Sequence, residues 1–236
     1  MVKKRPSNVD AWLERETPHV RKALESASKY FDGNDSLTVN TLEAVYGQES
    51  SFGALLGTRG ATGAAGHFQF KPDTAKQYGV SVSKGNDQRF DIDYASSAAA
   101  RYLKDLDSMF SKNTTLLKGS TTIAVTNSQE RYKFVLGAYS AGQGRIAGAQ
   151  HLAENAWKNS QLWADVQPFL ESAGADDDTA RETREYVEKV PVYEAEFTIK
   201  SPIDKTIKQR KPRKEPYRCT EGHWVTIDER PVFICD

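Results

Sequence analysis

Glu49 is the residue in this chain whose setting most plainly invites chemistry. Leu42, Val45, Tyr46 and Glu49 stand at i, i+3, i+4 and i+7, so on a helix they share one face, and that face is otherwise apolar. A run of small residues follows at once, with Gly53, Gly57, Gly60, Gly63 and Gly66, which reads as a loop from Ser51 to Gly66. A carboxyl group on an apolar face has its ionised form disfavoured, so its pKa rises. A carboxyl that stays protonated near neutral pH is a general acid. The same pattern suits a buried glutamate paired with an arginine or lysine, and the helix alone leaves both open. Asp73 is the first carboxylate after Glu49, so the loop offers no acidic partner.

The two thiols, Cys219 and Cys235, fall in the last short stretch. They could form a disulfide, half a metal site, or two unrelated buried residues. A zinc site wants four ligands and only His223 lies nearby. A disulfide is favoured because it closes a short loop in a segment too small for its own core. No metal and no cofactor is called for.

Helical patterning positions these groups. A first helix is expected from Asp10 to Tyr30, with Trp12, Leu13, Val20, Leu24 and Ala27 inward. After a turn at Asp32–Asp35, Ser36 or Thr38 caps a helix running to about Ser50. Pro72 opens a short helix ending at Gly79, and Asp91 caps an alanine-rich helix to about Phe110. Polar residues 113–127 read as a loop. Helices over Arg131–Ser140 and Arg145–Trp157 are parted by Gly142 and Gly144. Asp176, Asp177 and Asp178 open a last helix, which Pro191 is expected to bend or end. Lys200–Arg218 then carries eight basic residues against two acidic ones and reads as a linker. Trp224–Ile227 and Val232–Ile234 read as a small β-hairpin.

Lys plus Arg and Asp plus Glu both number 32, which argues against a nucleic-acid partner. No apolar run is long enough to span a bilayer. No apolar stretch follows the basic start Met1–Asn8, so no secretory signal peptide is read.

Four segments, in order, resemble Slt-type lytic transglycosylases, a goose-lysozyme-like family. Glu49-Ser50-Ser51-Phe52 is similar to the Glu-Ser motif that carries their catalytic acid. Gly63 to Ala75 resembles Gly-Leu-Met-Gln followed by Pro-x-Thr-Ala. Gly137 to Ile146 resembles Ala-Tyr-Asn-Ala-Gly-x-Gly. Glu182 to Val190 resembles Glu-Thr-Arg-x-Tyr-Val-x-Lys-Val. The resemblance covers about Leu37 to Val190. Two departures stand out: His67-Phe68 replaces Leu-Met, and Ser140 replaces Asn.

The resemblance implies a mainly α, lysozyme-like helical domain, placed at 37–198; the residue pattern adds an N-terminal helix packing on it (1–36) and a basic linker and Cys-linked hairpin after it (199–236). It implies peptidoglycan glycan strands as substrate, in the periplasm or cell wall. Glu49 would be the acid/base that cleaves the MurNAc-β-1,4-GlcNAc bond with formation of 1,6-anhydroMurNAc. Substrate assistance by the N-acetyl group removes the need for a second carboxylate. Ser50, Phe68, Gln69, Tyr139 and Tyr186 would line the substrate; residue by residue, each also has a purely structural reading. The segment from about Lys200 onward is expected to be dispensable for cleavage. Two rivals remain at this level: a hydrolytic goose-type muramidase, such as a phage lysin or secreted antibacterial effector, and an inactive glycan-binding scaffold. A secretion machine, a phage particle or an immunity or inhibitor protein would be compatible partners.

Overall fold

The computed structural model describes residues 7–83, 85–117 and 119–201, and the backbone of 222–227 and 230–235. The protein is mainly helical. Its α-helices are α1 Asn8–Leu13, α2 Pro18–Ala27, α3 Val39–Ser50, α4 Pro72–Gln77, α5 Ile92–Phe110, α6 Ser128–Ala141, α7 Gln143–Asn155, α8 Trp163–Val166 and α9 Asp177–Lys200. Strands β1 Gly222–Ile227 and β2 Arg230–Cys235 pair antiparallel, with Trp224 opposite Phe233. Cys219 lies outside the described residues, and so does the side chain of Cys235. No described helix is long and apolar enough to cross a membrane.

Helix α3 runs through the middle. Leu42, Ala44, Val45 and Tyr46 are buried, and so are Asn40, Thr41, Glu43 and Gly47. A helix buried on every side must satisfy its polar groups internally. Asn40 Nδ2 donates to Glu43 Oε2 at 2.6 Å, and Ser201 Oγ donates to the other oxygen of Glu43. Helices α9, α2 and α5 pack against α3, and α6 packs on α9 and α5, in one continuous core.

Two expectations need correcting. The first helix is broken: Thr17 accepts a hydrogen bond from Val20 N at 3.2 Å and caps α2, whose first residue is Pro18. Proline lacks the N–H an uninterrupted helix would use there, but fits a first turn. Pro191, conversely, does not end α9, which continues to Lys200. Packing of α9 on α3 and α6 outweighs the one lost backbone hydrogen bond. Since Ser201 is buried and bonded to Glu43, the packed chain extends past the expected boundary at residue 198.

The glycine-rich loop after α3 is fastened by Arg89, whose side chain is fully buried. Its Nε and Nη2 donate to the two Asp87 oxygens at 2.9 and 2.8 Å. Nη1 donates to the carbonyls of Gly63 and Phe70, and Nη2 to that of Ala61, all at 2.9–3.0 Å. Asp87 also accepts from Gly60 N at 2.8 Å. Gly66, at φ 83°, lies so close to Arg89 O that a Cβ would come within 2.0 Å of it. Replacing Arg89 by Ala takes from Asp87 its charge partner and from the Ala61, Gly63 and Phe70 carbonyls their buried guanidinium donors, with only backbone donors such as Gly60 N left to Asp87 and Ala65 N left to Phe70 O. The expected loss is about 3–5 kcal/mol in urea denaturation; a loss under about 1 kcal/mol would contradict this role.

Candidate active site

Glu49 is the penultimate residue of α3. The helix ends at Ser51, which adopts the left-handed conformation (φ 49°, ψ 47°), and Phe52 (φ 57°) and Gly53 (φ 81°) follow it there. Such runs are rare for residues with a Cβ and cluster at functional sites. They turn the chain sharply just past Glu49.

Ser50 holds this turn together. Its Oγ donates to His67 O at 2.8 Å and accepts from Gly53 N at 3.1 Å, and the residue is fully buried. The hydroxyl thus joins the two sides of the loop. The Phe68 ring is buried and stacked on Tyr46 at 5.3 Å. Phe68 serves through its carbonyl, which accepts from Tyr139 Oη at 3.0 Å. Gln69, left-handed at φ 48°, donates Nε2 to the carbonyls of Gly66 and Leu55 at 2.8 and 3.3 Å. That is the loop-to-backbone bond of its structural reading.

Tyr139 and Tyr186 do come together with Glu49. Their rings stack at 6.2 Å with 17° between planes, and Glu49 is the first charge that each of them feels. Burial holds both phenols well above their ordinary pKa. Glu49 is partly exposed as a residue, yet its carboxyl is withdrawn from water, and that burial pushes its pKa up to about 7. The Tyr186 hydroxyl pulls weakly the other way. That contact is loose, because Tyr186 Oη is buried without a protein partner in hydrogen-bonding geometry. An uncharged carboxyl of this kind can donate a proton to a bound ligand near neutral pH.

Residues 27–162 match the family model described as the transglycosylase SLT domain. The match covers more than half of the chain. This protein belongs to the SLT transglycosylase family. No curated protein matches the chain. The SLT domain thus contains Glu49, the loop and Tyr139, while Tyr186 comes from α9, beyond the matched residues.

Two features of the site escaped the sequence. His67, where the resemblance leads one to look for Leu, accepts or donates through Nδ1 to Tyr46 Oη at 2.9 Å and is held below its ordinary pKa, chiefly by burial. Arg89 stood in no recognised motif; its only signal was the Asp87-x-Arg89 spacing, which is common on surfaces. The pocket lined by Tyr30, Gln77, Tyr78, Arg101, Lys104 and Asp105 shares no residue with this site. Its cations are already committed, Arg101 to Tyr78 O and Lys104 to Asp32 and Asp35.

The raised pKa of Glu49 makes a stability prediction. A carboxyl shifted from 4.5 to about 7 on folding favours the folded state while protonated. That contribution is complete below about 4.5 and is lost as pH rises through 7. Glu49→Gln removes the dependence. The variant is expected to equal the native chain near pH 4.5 and to exceed it by about 2–3 kcal/mol at pH 8, after a discount for partial exposure. Urea denaturation at the two pH values checks this; a difference independent of pH would show that the carboxyl is not desolvated.

Proposed function

We propose that this protein is a lytic transglycosylase that cleaves the MurNAc-β-1,4-GlcNAc bond of peptidoglycan and releases 1,6-anhydroMurNAc ends, within a lysozyme-like groove. One feature carries the proposal: the Glu49 carboxyl, at the C-terminal end of α3, is withdrawn from water with its pKa raised to about 7, and what faces it is Tyr139 and Tyr186, not a second carboxylate. An ordinary retaining glycosidase needs a nucleophilic carboxylate about 5 Å from its acid. The loop that borders Glu49 has none.

In this mechanism Glu49 gives its proton to the bridging oxygen as the C1–O bond breaks, and GlcNAc leaves as the alcohol. The acetamido carbonyl of the same MurNAc closes on C1. Glu49, now a carboxylate, takes the proton from the C6 hydroxyl, whose oxygen attacks C1, reopens the acetamido ring and completes the anhydro bridge. Glu49 ends protonated, and no water is consumed. Tyr186 Oη, lacking a protein partner, is suited to orient the acetamido group or the Glu49 carboxylate. Gln69 Oε1 is suited to accept from a sugar hydroxyl or amide.

Glu49→Gln keeps the shape and removes the acid, so digestion of purified sacculi should fall by about 10²–10⁴ or more. Mass spectrometry of the native digest should show anhydro ends. Activity of the variant within about tenfold of native sinks Glu49 as the acid, and products carrying added water throughout indicate a muramidase instead.

The tail is proposed as a targeting strap. Lys200–Arg218 bears eight basic and two acidic residues, and peptidoglycan is rich in carboxylates, so the attraction would be screened by salt. Because Ser201 is bonded into the domain, the informative cut lies after it. A chain ending at Ser201 is expected to cleave soluble glycan fragments at the native rate and to bind sacculi less well at low salt. Equal sacculus binding by the two chains would remove the targeting role.

A further inference from the structure

We infer that Trp12, outside the matched SLT domain, is a positioning residue for Glu49: it backs the last turn of α3 and sets the course of the turn that follows. The inference rests on Glu49 being the acting acid. The Trp12 ring lies against α3 at Gly47, where a Cβ would come within 2.4 Å of Trp12 Cε3 and Cζ3. Gly47 is two residues before Glu49, on the opposite side of the helix, so the indole supports the acid from behind. The same ring stacks on Phe52 with centroids 6.4 Å apart and planes 10° apart.

Phe52 needs that support. A bulky residue at φ 57° persists only where its surroundings over-determine it. Here Trp12, Tyr46 at 4.6 Å and Phe197 at 5.7 Å enclose its ring. Arg15 Nη1 adds a bond to the carbonyl of Ser51, the other strained residue, at 3.4 Å. From Phe52 the packing continues through Tyr46 to Phe68, whose carbonyl holds Tyr139.

Trp12 is itself held by the far end of the chain. Tyr193 meets it edge-on at 4.8 Å and Phe197 stacks on it at 6.1 Å. Asn8 Nδ2 donates to Tyr193 Oη at 3.2 Å, and Lys200 Nζ reaches Asp10 Oδ1 at 2.6 Å and Ser7 Oγ at 3.1 Å. Both ends of the packed domain thus converge on Trp12, which is only 6% exposed.

The test uses the full chain with Trp12→Ala and Trp12→Phe. Hydrogen exchange reads placement without substrate. In Trp12→Ala the Ser51, Gly53 and Leu55 amides, which bond to Gly47 O, Ser50 Oγ and Ser50 O, should exchange about tenfold faster or more, with α5 and α6 unchanged. On glycan fragments, well below the melting temperature, kcat should fall about tenfold or more with KM within about threefold. Trp12→Phe, which keeps an aromatic ring behind Gly47, should recover most of that loss. Unchanged protection over 51–55, a kcat within about twofold of native, or a KM change that accounts for the loss overturns the inference. If Trp12→Ala does not fold, Trp12→Leu keeps apolar bulk and is read in the same way. A native chain that cleaves no glycan defeats the proposed function, while exchange still decides the placement.

Discussion

Arg89 ends every one of its N–H groups on the protein: two on Asp87 and three on the carbonyls of Ala61, Gly63 and Phe70. A buried guanidinium is tolerable only when it is both neutralised and fully hydrogen-bonded. Asp87 supplies the first condition and the loop backbone the second. The loop therefore cannot relax without uncovering a buried charge, a penalty on the order of several kcal/mol. A segment this rich in glycine would otherwise be loose. Ser50, bonding across to His67 O, transmits the order of the loop to the end of α3.

That rigidity is what allows Glu49 to stay unpaired. A buried carboxyl in a mobile setting draws in a cation or water and loses its raised pKa. Here Arg89 is spent on the loop, Arg15 turns to Ser51 O, and Arg131 pairs with Asp107 at 2.7 Å. What faces Glu49 is aromatic, and Tyr139 has already given its hydroxyl to Phe68 O. The pKa near 7 thus comes from withdrawal from water and not from a neighbouring negative charge. Such an arrangement costs stability whenever the carboxyl ionises, a common feature of sites shaped for chemistry over folding.

The elements that carry the site were legible because their signals are local. Thr38 capping α3, Asp91 capping α5 and the asparates opening α9 obey end rules that a few residues express. Glu49 was legible because helical periodicity alone places it on the apolar face. Other features were hidden because they depend on partners distant in the chain. Ser50 sits beside the acid in sequence and Phe68 across the loop from it, and the loop folds back to bury both. Pro18 followed a cap, Thr17, that a long apolar stripe concealed. Pro191 looked like a helix end because what carries α9 past it is packing against α3, some 150 residues earlier.

The placement of Tyr186 shows how these long-range contacts serve the site. Helix α9 lies along α3 through a partly buried polar seam. Glu194 accepts from Thr38 and Thr41 at 2.9 and 2.8 Å and from Tyr132 at 2.5 Å, Thr198 reaches Asn40 at 3.4 Å, and Ser201 bonds to Glu43. These polar pairs favour one register between the two helices, since sliding α9 by a turn would take the Thr38 and Thr41 hydroxyls from Glu194 and the Ser201 hydroxyl from Glu43. Apolar packing alone would tolerate such a slip more readily. Glu49 sits at the C-terminal end of α3, and Tyr186 projects from α9 toward it. The spacing between the acid and its facing phenol is therefore set by one helix pair locked in register, and it does not depend on the loop. The loop holds the rest of the site, through the Phe68 carbonyl and Tyr139, so two independent restraints meet at a carboxyl that itself bonds to neither.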